Sequence, residues 1–164
     1  MRTLVSQLIL AAAPLAAGLI LAHAGPARAQ AVSSADVNIV SVTGAKTPKA
    51  FTCTAVINNQ NDDDSRQTRV IVLLPLQVQK ILAMKVAGGP GHCVAGPALG
   101  GFTASATCDL GQLPQGPTVR RTVTIATTNS TAAPNYPQTC SAFIMSAVGD
   151  IDKRNNYLAA APVP

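Results

Sequence analysis

The stretch FTCTAVI at residues 51–57 decides the fold. Phe51, Cys53, Ala55 and Ile57 share one side of an extended chain, and Thr52 and Thr54 share the other. A period of two is the mark of a strand with one face on a core. A helix would need its apolar residues three and four apart. Working outward, residues 44–48 (GAKTP) read as a turn before this strand, and the polar run 58–65 (NNQNDDDS) as a loop after it.

The same reading extends along the chain. Further strands are expected at 36–42, 68–74, 78–86, 92–95, 102–108, 118–127, 139–148 and 157–160. Residues 79–85 (QKILAMK) also fit one or two helical turns, but their length and the flanking proline favour a strand. Between these strands lie Gly/Pro turns at 88–91, 96–101 and 113–117, and a proline-containing loop at 129–137. Seven to nine strands at hairpin spacing, without an internal repeat, predict an all-β antiparallel sandwich of two sheets.

Composition supports this choice. Hydrophobic residues are 48% of the chain, yet aromatics are only 3% and charged residues 12%. All seven acids are Asp, and the absence of Glu argues against helical bundles, coiled coils and a disordered acidic tail.

The first 29 residues read as a signal peptide. Arg2 is followed by a nearly unbroken apolar run over residues 4–22, then Gly25-Pro26 and Ala27-Arg28-Ala29, a small-x-small cleavage pattern. Cleavage before Gln30 is expected, by the general secretory route, since neither a twin-arginine pair nor a lipid-accepting cysteine stands there. Residues 30–35 read as a linker, 36–160 as the sandwich and 161–164 as a tail. The mature part keeps ten basic residues against seven Asp, a net charge of +3 scattered along the sequence. No basic stripe with interleaved aromatics suggests nucleic acid as a partner, and no later segment is long and apolar enough to cross a membrane.

Four cysteines in an exported chain predict two disulfides, with three connectivities to choose from. Cys93 and Cys108 flank a Gly-rich loop on neighbouring strands and should close a local hairpin. That leaves Cys53 and Cys140, one early and one late, for a bond across the sandwich.

Chemistry has little to build on. No C-x-x-C is present, and the only histidine after residue 29 is His92, so neither zinc nor a nucleophile–histidine pair is indicated. No catalytic residue and no cofactor are expected. Weak calcium candidates are Asp62 and Asp64 in one loop, and Asp150 and Asp152 at one end of the sandwich; each spot is short of the oxygens calcium wants. Asn129-Ser130-Thr131 matches a glycosylation acceptor and is read here as a polar loop.

Three segments carry a family resemblance. They are Gly91-His-Cys93; Ala104-Ser-Ala-Thr-Cys108-Asp-Leu110-Gly-Gln-Leu113-Pro-Gln-Gly116; and Val119-Arg-Arg-Thr-Val-Thr-Ile125. Together they resemble a repeat domain of unknown function from bacterial and archaeal surface proteins. In that domain a cysteine pair precedes a Leu-Gly-x-Leu-x-x-Gly turn and a Thr/Val-rich strand. Val56-Ile-Asn-Asn59 and the close Asp150-Ile-Asp152-Lys-Arg-Asn155-Asn156 fit the same pattern. The latter is also similar to the CARDB domain, a cell-adhesion-related domain found in bacteria. The resemblance implies an immunoglobulin-like sandwich outside the cytoplasm, periplasmic or at the cell surface, non-enzymatic and in contact with a protein or envelope partner. Recognition is then expected through the loops 58–65, 88–101 and 129–137 or through an exposed edge strand. Two other readings stay open: a fibre subunit assembled by strand exchange, and a calcium-dependent surface domain.

Overall fold

Residues 51–57 fold as their alternation requires, at the centre of a strand that runs from Ala50 to Asn59. Phe51, Cys53, Ala55 and Ile57 are completely buried, and the residues between them are half-exposed. In the computed structural model the described residues are 34–61, 64–97, 104–129 and 137–164, apart from the Gln79 side chain. The segment 1–29, read above as a signal peptide, lies outside them.

The strands in chain order are β1 (Ser34–Ala35), β2 (Val37–Lys46), β3 (Ala50–Asn59), β4 (Thr68–Leu74), β5 (Val78–Ala87) and β6 (His92–Gly96). They continue with β7 (Ala104–Gly111), β8 (Gly116–Asn129), β9 (Ser141–Met145), β10 (Gly149–Asp150) and β11 (Tyr157–Ala159). Nine of these build two antiparallel sheets that pack as a sandwich, one in the order β2-β3-β8-β5 and the other β11-β9-β4-β7-β6. The first follows the A-B-E-D order of immunoglobulin domains, and β4, β9 and β11 take the places of C, F and G. The β6–β7 hairpin extends the second sheet beyond β4. The two-residue strands β1 and β10 form a separate parallel clip.

The core lies between the sheets. Phe51, Ile57, Val123 and Ile125 from one layer meet Val70, Val72, Leu74, Leu110 and Ile144 from the other. Two disulfides cross-link it: Cys53–Cys140 and Cys93–Cys108, the pairs suggested by the strand pattern. The first joins β3 to the residue just before β9, the position of the inter-sheet B–F bond of immunoglobulin domains. Burial of Thr127 is made tolerable by its hydroxyl, which donates to the Phe51 carbonyl at 2.9 Å.

Several boundaries differ from the sequence reading, each for a physical reason. β2 continues through Gly44 to Lys46, because Gly44 leaves room for the Phe51 ring on the neighbouring strand. Residues 78–87 form a ladder with β8 and no helical turn. β7 lies at 104–111, and β9 stops at Met145. There the Ser146 hydroxyl donates to Arg66 O and accepts from Val148 N–H, turning the chain. Asn58, Asn59 and Ser65 are buried braces where the sequence suggests a surface loop. Asn58 Nδ2 donates to Pro117 O, Asn59 Oδ1 accepts from Asp36 N–H, and Ser65 Oγ accepts from Leu113 N–H. The tail is tied as well, by paired backbone hydrogen bonds between Gln138 and Val163.

Candidate functional site

The second sheet turns one face to the core and leaves the other without a covering layer among the described residues. Alternation along its strands places Arg69, Ile71 and Leu73 of β4 on the outer face. Phe143 and Met145 of β9, Thr107 and Asp109 of β7, and His92 and Val94 of β6 stand there too. The register lines them up. Tyr157 stands opposite Phe143, Phe143 opposite Ile71, Ile71 opposite Thr107, and Thr107 opposite Val94. Directly opposed side chains in a sheet lie close enough to touch, so this is one continuous row across five strands.

The row is exposed where it need not be. Tyr157 is 53%, Phe143 42% and Val94 57% exposed, with Ile71 and Thr107 half-buried between them. The chain has three Phe and two Tyr; Phe102 and Tyr136 lie outside the described residues, and Phe51 is in the core. So two of the three described aromatics stand side by side on the surface. Scattered exposed apolar residues are ordinary, whereas a contiguous run that includes aromatics is a candidate interaction surface.

In the next row polar Arg69, Asp109 and His92 stand in register, with apolar Met145 at its β9 end. Arg69 Nε lies 3.8 Å from Asp109 Oδ2, a surface pair of small energetic weight. Met145, Ser146 and Ala147 line two concavities. One, of about 450 Å³, is lined by Phe143, Met145, Val148, Asp150, Lys153 and Asn156. The other, of about 210 Å³, is lined by Gln67, Arg69, Met145, Ser146 and Ala147.

The Asp150 end is built from side-chain brackets. Asp150 accepts from Asp152 N–H at 3.2 Å and from Asn156 Nδ2 at 2.8 Å, and Asp36 accepts from Asn155 Nδ2 at 2.8 Å. Asp152 caps the short 3-10 turn Lys153–Asn155 and pairs with Arg154. Burial pushes the Asp150 carboxyl above the usual range, against the lowering effect of its two hydrogen bonds; Asp36 and Asp152 add repulsion. The hydrogen bonds from Arg154 hold Asp152 below its usual range.

The raised Asp150 carboxyl makes stability depend on pH. An Asp raised on folding makes the folded state the tighter proton binder, so its contribution to stability rises as pH falls from neutral towards the usual carboxylate range. Relative to Asp150→Asn, the wild-type melting temperature should climb through that window. Thermal melts of both proteins across pH check it, and parallel curves would count against it.

Among the described residues the calcium candidates do not assemble into a cation site. Asp64 is exposed and bracketed by Gln112 Nε2 and the Gln115 N–H, while Asp150 and Asp152 are engaged as described. No group of three His, Cys, Asp or Glu able to hold a metal occurs among the described residues, and Asp62 lies outside them. All four cysteines are bonded. Exposed His92 sits across from Asp109.

Of the loops expected to carry recognition, only parts are described. Gly88 and Gly89 wrap the buried guanidinium of Arg121, which donates to Gly88 O; a Cβ on Gly89 would collide with it. Asn129 closes β8, its Nδ2 donating to Ala50 O at 3.2 Å. Residues 98–103 and 130–136, with the rest of the glycosylation motif, lie outside the described set. Among the described residues no helix is long and apolar enough to cross a membrane. Compared with known protein-family models and with curated proteins, the chain matches none.

Proposed function

We propose that this chain is a non-catalytic binding module of an exported protein, periplasmic or at the cell surface, that holds a protein partner on the outer face of its five-stranded sheet. The observation that carries this is the exposed row Tyr157–Phe143–Ile71–Thr107–Val94. An apolar centre with a polar rim is the anatomy of a protein–protein interface, and buried aromatics dominate the energy of such contacts. Two disulfides and the leader-like N-terminus support export. The resemblance to bacterial surface-protein domains agrees with a partner in the envelope.

The double substitution Phe143→Ser/Tyr157→Ser tests it. Both side chains point away from the core, so the melting temperature should stay within a few degrees of wild type. Wild-type and variant proteins are immobilised and offered solubilised envelope proteins. A species retained in stoichiometric amount by the wild type and lost by the variant is the expected result; identical retention would refute this face as the site.

A further inference from the structure

The two sheets have four edge strands, and three are blunted. β11 has only three residues. β2 carries a register shift between Ile39 and Ser41. β5 carries Lys80 and Lys85 and two register shifts in its ladder with β8. Short edges, bulges and lysines are the usual guards against pairing with another chain. β6 has an unbroken ladder with β7 and neither lysine nor proline over His92–Gly96.

The geometry of β6 shows which groups it offers. Cys93 and Cys108 stand opposite each other with their Cα atoms 4.0 Å apart, the narrow kind of antiparallel pair that exchanges no backbone hydrogen bonds. The N–H and C=O of Cys93 therefore point away from β7, and by alternation so do those of Ala95. The disulfide clamps the strand to its neighbour, so these groups are already in strand geometry before anything binds.

At the seam between β6 and β5, the edges of opposite sheets, the described residues close the core incompletely. Ile81, Met84 and Val86 of β5 and Cys93 of β6 pack on it only half-buried, and Ala95 is exposed. The opposite seam is closed by the chain itself: Val163 exchanges two backbone hydrogen bonds with buried Gln138 and places Cγ2 over Gly44. An extended segment performs on one side what nothing among the described residues performs on the other.

We infer that β6 receives an extended segment of a partner polypeptide as a sixth strand, and that this segment closes the β5–β6 seam. Its backbone pairs with Cys93 and Ala95. Its alternate side chains turn inward, aliphatic and small, over Met84 and Val86, while the others lengthen the outer row beyond Val94. Backbone pairing supplies affinity and the alternate positions supply selectivity, as in other strand-addition complexes. The inference rests on the reading of this domain as a polypeptide-binding module.

The test uses the intact, disulfide-bonded protein and a displayed library of random peptides. Selected peptides should share an every-second-residue aliphatic pattern, and a synthetic copy should slow amide exchange at Cys93 and Ala95. Ala95→Pro removes one outward N–H and spares the β7 ladder, so it should weaken that peptide by about tenfold or more at unchanged melting temperature. Ala95→Lys, which puts a charge in the seam, should do the same without altering the backbone. Protection elsewhere, indifference to both substitutions, or a library without binders overturns the inference. So does a β6-to-β6 dimer of the free protein, since a second copy would then own the edge. The module reading fails separately: envelope capture lost with Phe143→Ser/Tyr157→Ser but indifferent to Ala95→Pro would retain the outer face and discard the added strand.

Discussion

Replacing Cys53 and Cys140 together by alanine is expected to cost about 4.5 kcal/mol, while the same treatment of Cys93 and Cys108 costs about 3 kcal/mol. The difference comes from the denatured chain. Cys53 and Cys140 are 87 residues apart and Cys93 and Cys108 only 15, so the first bond removes more conformational freedom from the unfolded ensemble. Position in the fold works in the same direction. Both sulfurs of the long-range pair are fully buried and join the two sheets, and their removal leaves space in the centre of the core. The short-range pair joins two strands already neighbours in one ladder. Domains of this size are stable by about 5–15 kcal/mol, so loss of the first bond removes about 30% or more of the total. Urea unfolding of the two double variants measures both quantities. The Cys53/Cys140 variant should also unfold with a steeper denaturant dependence, because its unfolded chain is more expanded. Equal costs, or a larger cost for the local pair, would show that native-state strain rather than chain freedom sets the worth of these bonds.

What can be read from the sequence is what depends on neighbours in the chain. The alternation of residues 51–57 announces its strand because each side chain's face is set by the residue before it. Gly44 misleads for the opposite reason. A glycine after a strand reads locally as a turn, yet here its missing side chain serves a ring on the adjacent strand. Asn58 and Asn59 look like loop residues until their partners, Pro117, Leu113 and Asp36, arrive from distant positions.

The outer row is hidden twice over. In Ser-Ala-Phe-Ile-Met (141–145) alternation separates Phe143 and Met145 from Ala142 and Ile144, and the bulkier pair invites assignment to the core. The structure buries Ala142 and Ile144 instead. Nothing local shows that Tyr157, Phe143, Ile71, Thr107 and Val94 line up, because that depends on four separate strand registers. The open edge of β6 is equally invisible: it follows from β5 crossing to β8 while β6 pairs with β7.

Phe51→Ala is the second substitution with a large expected effect, about 4 kcal/mol of destabilisation. Phe51 is the one described aromatic in the core, among aliphatic side chains too small to refill its volume. Its ring lies over Gly44, where an added methyl group would sit 3.0 Å from Cζ. Ring and glycine therefore form a matched pair: the ring shields an otherwise bare stretch of β2 backbone, and the glycine gives it a place to lie. A cross-strand aromatic covering a glycine is a known device for restoring stability to a weak strand residue. The consequence is coupling. Gly44→Ala alone should destabilise by about 1–3 kcal/mol through overpacking, although alanine ordinarily improves on glycine within a strand. In a Phe51→Leu background, with the ring gone and only Val163 Cγ2, 3.2 Å from the added methyl, left to shift, the same Gly44→Ala change should cost clearly less. A double-mutant cycle followed by urea unfolding reads the interaction directly, and contacting residues of this kind show coupling of about 0.5–3 kcal/mol. Simple additivity of the two substitutions would mean that the ring does not need the glycine, and β2 would then owe its length to the ladder with β3 alone.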